Sequence, residues 1–411
     1  MRLPSLSSLT HTRRALLVLA LGGFGIGTGE FVMLGLLPEV SDGLHVSIPQ
    51  AGYLISAYAL GVVVGAPTVT AFTSHLPRKG LLIGLAAALA AGNIATALVP
   101  SFDAVLALRF LSGLPHGAYF GVASVAASSF VDASRRSQAM AVVFAGLTTA
   151  NVVGVPLTTF AGQHLGWRPV FVGVALVEIL AAALIAVVLP RTDRAASARS
   201  ALRGELNTFR TPPVWLALGI ATIGGGALFA TFSYIAPMMT HVAGFATSSV
   251  TWLMVLFGLG MTAGNLVGAR LADRKLMPTI YGALSAEVVI ALAFLLTSHN
   301  EIAAAFTIFA FPATSMAMLP ALQARIVALG GGAPNLASAS IHAAFNIANS
   351  LGAWLGGAVI AAGFGYSSPN AVAAALALLG LGVAAWSAGY DRRAGVRLHG
   401  EAAEAELATA G

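Results

Sequence analysis

The chain has 411 residues, 57% of them hydrophobic and only 9% charged, with no cysteine and a formal net charge of +6. A soluble domain carries roughly 25% charged residues, so this composition cannot cover a water-facing surface, and the lack of cysteine excludes disulfide frameworks and thiolate metal sites. The basic residues lie in short segments between apolar runs, which is a topology signal rather than a nucleic-acid-binding pattern.

Apolar runs of about 20 residues, enough for a helix to cross about 30 Å of hydrocarbon, recur twelve times. The short alternating segments of a membrane β-barrel are absent. At the start, Arg13 and Arg14 precede the apolar stretch Ala15 to Leu21, as in a secretory leader. The run continues to Leu37 without a small-residue cleavage site, so it reads as a retained first span. Taken along the chain, the expected spans are 14–38, 50–72, 80–99, 104–129, 138–160 and 169–189, then 214–238, 249–271, 278–297, 302–323, 337–363 and 370–389.

Charge tests that count. Arg2, Arg13 and Arg14 precede span 1, Arg78 and Lys79 follow span 2, and Arg135 and Arg136 follow span 4. Arg191, Arg194, Arg199, Arg203 and Arg210 follow span 6. Arg270, Arg274 and Lys275 cluster at the end of span 8, Arg325 follows span 10, and Arg392, Arg393 and Arg397 follow span 12. Thus 19 of the 21 Lys and Arg fall on one side; Arg168 lies opposite and Arg109 lies inside span 4. The positive-inside rule then makes both termini cytoplasmic. An error of one span would scramble the alternation.

Residues 190–213 form the longest polar stretch between spans, so the expected organisation is 1–189, a cytoplasmic linker 190–213, a second half 214–390 and a tail 391–411 carrying Glu401, Glu404 and Glu406. The halves match at an offset of 199: Gly25 with Gly224, Gly27 with Gly226, Pro38 with Pro237, Gly61 with Gly260 and Gly65 with Gly264. Near the ends the offset is 198, pairing Asn151 and Gly154 with Asn349 and Gly352. The predicted fold is an all-α membrane protein of twelve transmembrane helices in two six-helix pseudo-symmetric bundles, an arrangement found in secondary transporters.

Four stretches resemble the major facilitator superfamily, and within it the twelve-span drug/proton antiporter branch that includes chloramphenicol-type and arabinose or sugar exporters. They are Gly27-Thr28-Gly29-Glu30-Phe31-Val32-Met33 through Pro38-Glu39; Gly65-Ala66-Pro67 to Arg78-Lys79; Arg109 with Gly113; and Gly146, Gly154, Pro156 and Gly162. The loop between spans 2 and 3 departs from the family pattern, because Ser74 and His75 replace its acidic and basic residues. The second half keeps the pattern as Gly264 followed by Asp273 and Arg274. The resemblance implies a small-molecule transporter of the inner membrane coupled to protons, acting as one chain, with Arg109 in the coupling and Asp273, Arg274 and Arg78 in gating.

The residues themselves bear on that expectation. The chain has no phosphate loop, so ATP is not expected as the direct fuel, and it has no His-Glu-x-x-His or Gly-x-Ser-x-Gly motif. No cofactor or metal is expected, and no paired nucleophile and base suggests an enzyme. Ionisable groups at membrane depth are Glu30, Arg109, Glu178, Glu287, His116 and His342; each costs at least ~2.5 kcal/mol there, so each is a candidate functional group. Glu30, in the second half of span 1, is the candidate proton carrier, with Arg109 and His116 as tuning groups. Arg109, Gly113, His116 and Phe120 share one helix face. The competing reading gives Arg109 to backbone carbonyls and His116 to a packed hydrogen bond.

Glu178 and Glu287 are expected to bond helix to helix. Span 11 carries Ser338, His342, Asn346 and Asn349 on one polar face. With Thr148 and Asn151 of span 5, and Thr222, Phe229, Ser233 and Tyr234 of span 7, they are candidate cavity lining or interhelical ties. Paired Gly-x-x-x-Gly motifs at Gly61, Gly65, Gly260 and Gly264 are expected either to slide between the halves or to pack statically. An importer or facilitator for sugars, and a scaffold or intramembrane enzyme, are the alternatives to the exporter.

Overall fold

The structure is a computed structural model that describes residues 6–73, 76–132, 135–190, 211–329 and 334–394. Ser74, His75, Arg2, the linker arginines, Arg397 and the tail acids lie outside the described residues, as does the side chain of Ser338.

An apolar solvent offers the backbone no hydrogen bonds, so each crossing segment must satisfy its own, and helices result. Twelve long helices lie among the described residues. In the first half, α1 spans Leu6–Leu44, α2 Ile48–Thr73, α3 Arg78–Leu98 and α4 Phe102–Ser129. Helix α5 runs through Arg136–Thr149, a π-helical turn Ala150–Gly154 and Val155–Leu165, and α6 spans Trp167–Val188. In the second half, α7 comprises Pro212–Phe232, a short turn Ile235–Met238 and a π-helical turn Met239–Ala243. Then follow α8 Val250–Ala272, α9 Leu276–Thr297 and α10 Glu301–Leu329. Helix α11 runs Pro334–Val359 and ends in a π-helical turn Ile360–Phe364, and α12 spans Pro369–Ala394.

Eleven of these helices are both long and apolar enough to cross a membrane. The twelfth, α4, has 28 residues but carries Arg109, Ser112 and His116 on its buried side, and those polar groups lower its apolarity. Several helices outrun the expected spans. Helix α1 has 39 residues, about 58 Å at 1.5 Å per residue, against hydrocarbon of about 30 Å. Helix α10 continues past the expected end at 323 to Leu329, and α12 continues past 389 through Asp391 to Ala394. Polar residues ended those spans in the sequence reading. A hydrogen-bonded helix does not stop where the hydrocarbon does.

The chain divides into two compact units, Met1–Ala196 with Ala246–Val255, and Ser197–Phe245 with Leu256–Gly411. In the first unit, Gln163 near the end of α5 donates to the carbonyl of Thr247, 2.8 Å away. The same pairings recur in both units: α1 packs on α5 and α6 as α7 packs on α11 and α12, and α3 packs on α6 as α9 packs on α12. One core gathers Leu19, Leu82, Tyr119, Val143 and Ile185; the other gathers Ile220, Ile280, Leu284, Leu322 and Ile326.

Glycine sets the closest contacts. A Cβ on Gly61 or Gly65 of α2 would strike the carbonyl oxygens of Phe110 and Leu114 on α4. At Gly260 and Gly264 of α8 it would strike those of Phe309 and Ala313 on α10. These motifs pack helices within each unit, the static-packing alternative. Small residues allow such backbone approach.

Candidate functional site

The polar interior of the first unit is built around α1 and α4. Arg109 is fully buried, with 0% exposure. Its guanidinium donates to two α1 carbonyls, Nη1 to Gly29 at 2.9 Å and Nη2 to Glu30 at 3.3 Å. It also lies 4.2 Å above the ring of Tyr58 on α2 and 5.8 Å from that of Phe171 on α6, distances at which a cation is drawn to the π face. The Tyr58 hydroxyl is 3.2 Å from His116 Nδ1, and the His116 ring lies 5.3 Å from that of Phe120. Glu30 is 6% exposed, and its own carbonyl is one of the groups that Arg109 holds. Glu30, Arg109 and His116 are thus brought to one cluster, with Arg109 bonded to backbone as the structural reading anticipated.

Tyr58 is the residue that sequence reading missed. A tyrosine in an apolar run carries no local signal. Its place follows from α2 and α4 packing so closely that a Cβ on Gly113 would strike the Tyr58 carbonyl.

Helix α5 joins this cluster through its own glycines. A Cβ on Gly146 would collide with the Ala20 carbonyl, one on Gly154 with the Thr28 hydroxyl, and one on Gly162 with Leu36, all on α1. Between them, the π-helical turn Ala150–Gly154 precedes Pro156, which lacks an N–H to continue the α pattern. Such turns concentrate at functional sites, and Asn151 lies in this one. Its Nδ2 donates to the Leu147 carbonyl at 3.1 Å, and its Oδ1 is buried with no hydrogen-bond partner among the described residues. Thr148 is half-buried and bonds back to the Phe144 carbonyl, 3.1 Å away.

The second unit repeats the device. Gly352 of α11 meets the Gly226 carbonyl of α7 where a Cβ would otherwise stand. Asn346 donates to the His342 carbonyl at 3.0 Å, and the Oδ1 atoms of Asn346 and Asn349 are buried without partners among the described residues. His342 itself is half-buried. The Phe229 ring meets Phe345 edge-on at 6.4 Å. Tyr234 takes the second of its two expected roles: it is 0% exposed, and its hydroxyl donates to the Ala353 carbonyl at 2.7 Å. It ties α7 to α11 and does not line open space in this structure.

Glu178 and Glu287 act as helix ties, as expected. Asn93 of α3 donates to Glu178 of α6 at 2.9 Å, and Ser315 of α10 donates to Glu287 of α9 in a short bond. Of the residues that the resemblance assigns to gating, Arg78 opens α3 and is half-buried, while its neighbour Lys79 donates to the Leu189 carbonyl at 2.6 Å. Asp273 and Arg274 are exposed in the connection between α8 and α9. Among the described residues no cluster of His, Asp and Glu is arranged to hold a metal.

Two pseudo-symmetric six-helix bundles with polar groups sealed inside them define a membrane transporter of the secondary type. The chain belongs to the Major Facilitator Superfamily, whose family model matches residues 19–332. It is 42% identical over 367 residues to the inner membrane transport protein YdhP of Escherichia coli (strain K12), covering 89% of this chain and 94% of that one. It is 34% identical over 357 residues to a chloramphenicol resistance protein of Streptomyces lividans, covering 86% and 90%. Two solved structures share the fold at low identity. A bacterial homolog of the human lysosomal transporter Spinster, inward-facing and unoccupied, superposes with TM-score 0.75 at 16% identity, covering 92% of this chain and 96% of that one. A D-xylose–proton symporter gives 0.72 at 15% identity, covering 90% and 96%.

Proposed function

We propose that the protein is a proton-coupled antiporter of the bacterial inner membrane that exports small organic molecules by alternating access. The observation that carries this reading is the Glu30 cluster: a carboxyl buried on α1, whose own backbone is held by a buried arginine. Intramembrane ionisable groups are expensive to bury and are usually kept for function. Glu30 takes up and releases the coupling proton. Arg109 fixes the α1 backbone beside it, and His116 adjusts the cluster through Tyr58. The relative named for chloramphenicol resistance supports a drug-like substrate.

Asn151, Asn346 and Asn349 supply substrate contacts. Their buried oxygens are acceptors whose desolvation costs about 1–3 kcal/mol each unless a donor meets them. The same oxygens suit a polyhydroxylated molecule, which keeps a sugar or metabolite permease as the second reading. Purified protein in liposomes with an imposed pH gradient separates the two. An exporter accumulates chloramphenicol or a related amphiphile against a proton flow of opposite direction. Accumulation in the same direction as the protons, or independence of the gradient, overturns antiport.

The proposed topology places both termini in the cytoplasm, with bundles at 1–189 and 214–390, the linker 190–213, and α12 carrying the second bundle on through Ala394. Reporter fusions at Gly204 and His241 are expected to read cytoplasmic and external respectively; the same side for both refutes it. Only the second half retains the Asp273 and Arg274 pair of the gating loop. Transport by Asp273→Asn is therefore expected to fall several-fold, and transport by Ser74→Ala to stay near wild type. Equal, small effects would remove this loop from gating.

A further inference from the structure

The second unit holds a groove of about 650 Å³ formed by the C-terminal half of α8, the start of α9 and the middle of α10. It lies within the range of about 300–1,000 Å³ typical of ligand pockets. Small residues such as Ala263, Gly282 and Ala313 leave room along it, and larger apolar side chains, among them Val267, Leu271 and Phe309, complete its walls. At one end stand Arg274 and Lys275, in the connection between α8 and α9. Along α8 beside it, Leu266 is 56% exposed and Leu271 43% exposed, side chains that only hydrocarbon covers without cost.

We propose that this groove binds an anionic phospholipid of the surrounding bilayer, with an acyl chain along the apolar walls and the headgroup phosphate against Arg274 and Lys275. Three observations converge. The walls are apolar along the helices, so the occupant's body is hydrocarbon. The charged end lies in the connection between two spans, where a bilayer keeps its phosphates. Arg270 and Arg274 outnumber Asp273 there, so the site attracts anions. Helix α9 begins at Leu276 with no side-chain cap, and of its first turn only the N–H groups of Leu276 and Met277 can add to the attraction for a phosphate, since residue 278 is proline. Basic pockets between membrane helices are established places for anionic headgroups. A soluble anion would have no use for the apolar walls, and a neutral lipid none for the two cations.

The test is direct lipid binding by the full-length protein in detergent, read by native mass spectrometry with phosphatidylglycerol and phosphatidylcholine of the same chains. Wild type is expected to retain phosphatidylglycerol preferentially. A Cβ on Gly282 meets nothing within 4 Å, so Gly282→Leu fills the groove without disturbing the helix contacts and is expected to expel both lipids. The exposed pair is changed in R274Q/K275Q. Each lost charge weakens anionic lipid binding by about fivefold, so this variant is expected to lose the headgroup preference while still holding acyl chains. Equal retention of both lipids by wild type overturns the proposal. So does unchanged retention in both variants, or displacement of the lipid by chain-free glycerophosphate at equal concentration. None of these readouts depends on transport, so the antiport reading stands or falls separately.

Discussion

Glu30→Gln is expected to abolish proton-driven accumulation of substrate, bringing inside and outside concentrations to equality, while leaving substrate exchange down its own gradient intact. Glutamine keeps the shape of the protonated acid and removes the titrating oxygen. The backbone carbonyl of Glu30, which accepts from Arg109 at 3.3 Å, is untouched, so the α1–α4 contact survives the change. The measurement compares pH-driven uptake with counterflow in proteoliposomes. Arg109→Ala is expected to damage both, because it deletes two hydrogen bonds from a charged donor, worth about 1.5–3 kcal/mol each, and its contact with Tyr58. Expression level and thermal unfolding distinguish that loss from a loss of coupling. If Glu30→Gln retains full pH-driven transport, the coupling proton is carried elsewhere, and His116 is the next group to change.

The helix count and the fold class were legible in the sequence because a bilayer imposes length and charge rules that act locally. The repeat was legible because Gly61, Gly65, Gly260 and Gly264 sit at one offset. What those glycines touch was not. Their partners, the carbonyls of Phe110, Leu114, Phe309 and Ala313, are backbone atoms, which leave no mark on composition. The acid and the arginine of the candidate site stood out as expensive residues in apolar runs. Tyr58 did not, since its hydroxyl matters only once α2 and α4 are brought together. The same limit applied at helix ends. Arg325 and Asp391 read as a loop cation and the start of a tail, because polarity marks the edge of the hydrocarbon rather than the end of the helix.

Helix extension makes that last pair a structural element, and Arg325→Met is expected to destabilise the second bundle strongly. Arg325 lies inside α10 with 0% exposure, and its Nη2 donates to Asp391 at 2.5 Å and to Ser387 Oγ at 2.8 Å, both on α12. Its ion pair with Asp391 crosses from α10 to α12. Removing one partner of a buried pair costs about 3–5 kcal/mol, because the other charge is left without compensation. Asp391 keeps a side-chain exposure of 12%, so water recovers part of that cost and the lower end of the range is expected. A second change decides whether the pair or the loss of arginine packing is responsible. Replacing both residues by apolar ones, R325M with D391L, removes the stranded charge. Replacement of a buried pair by apolar groups is often neutral or stabilising, so the double variant is expected to unfold at a higher temperature than R325M alone. Thermal unfolding in detergent, followed by circular dichroism or intrinsic fluorescence, reads both. If the double variant is no more stable than R325M, the pair does not couple α10 to α12, and Arg325 acts through its packing alone.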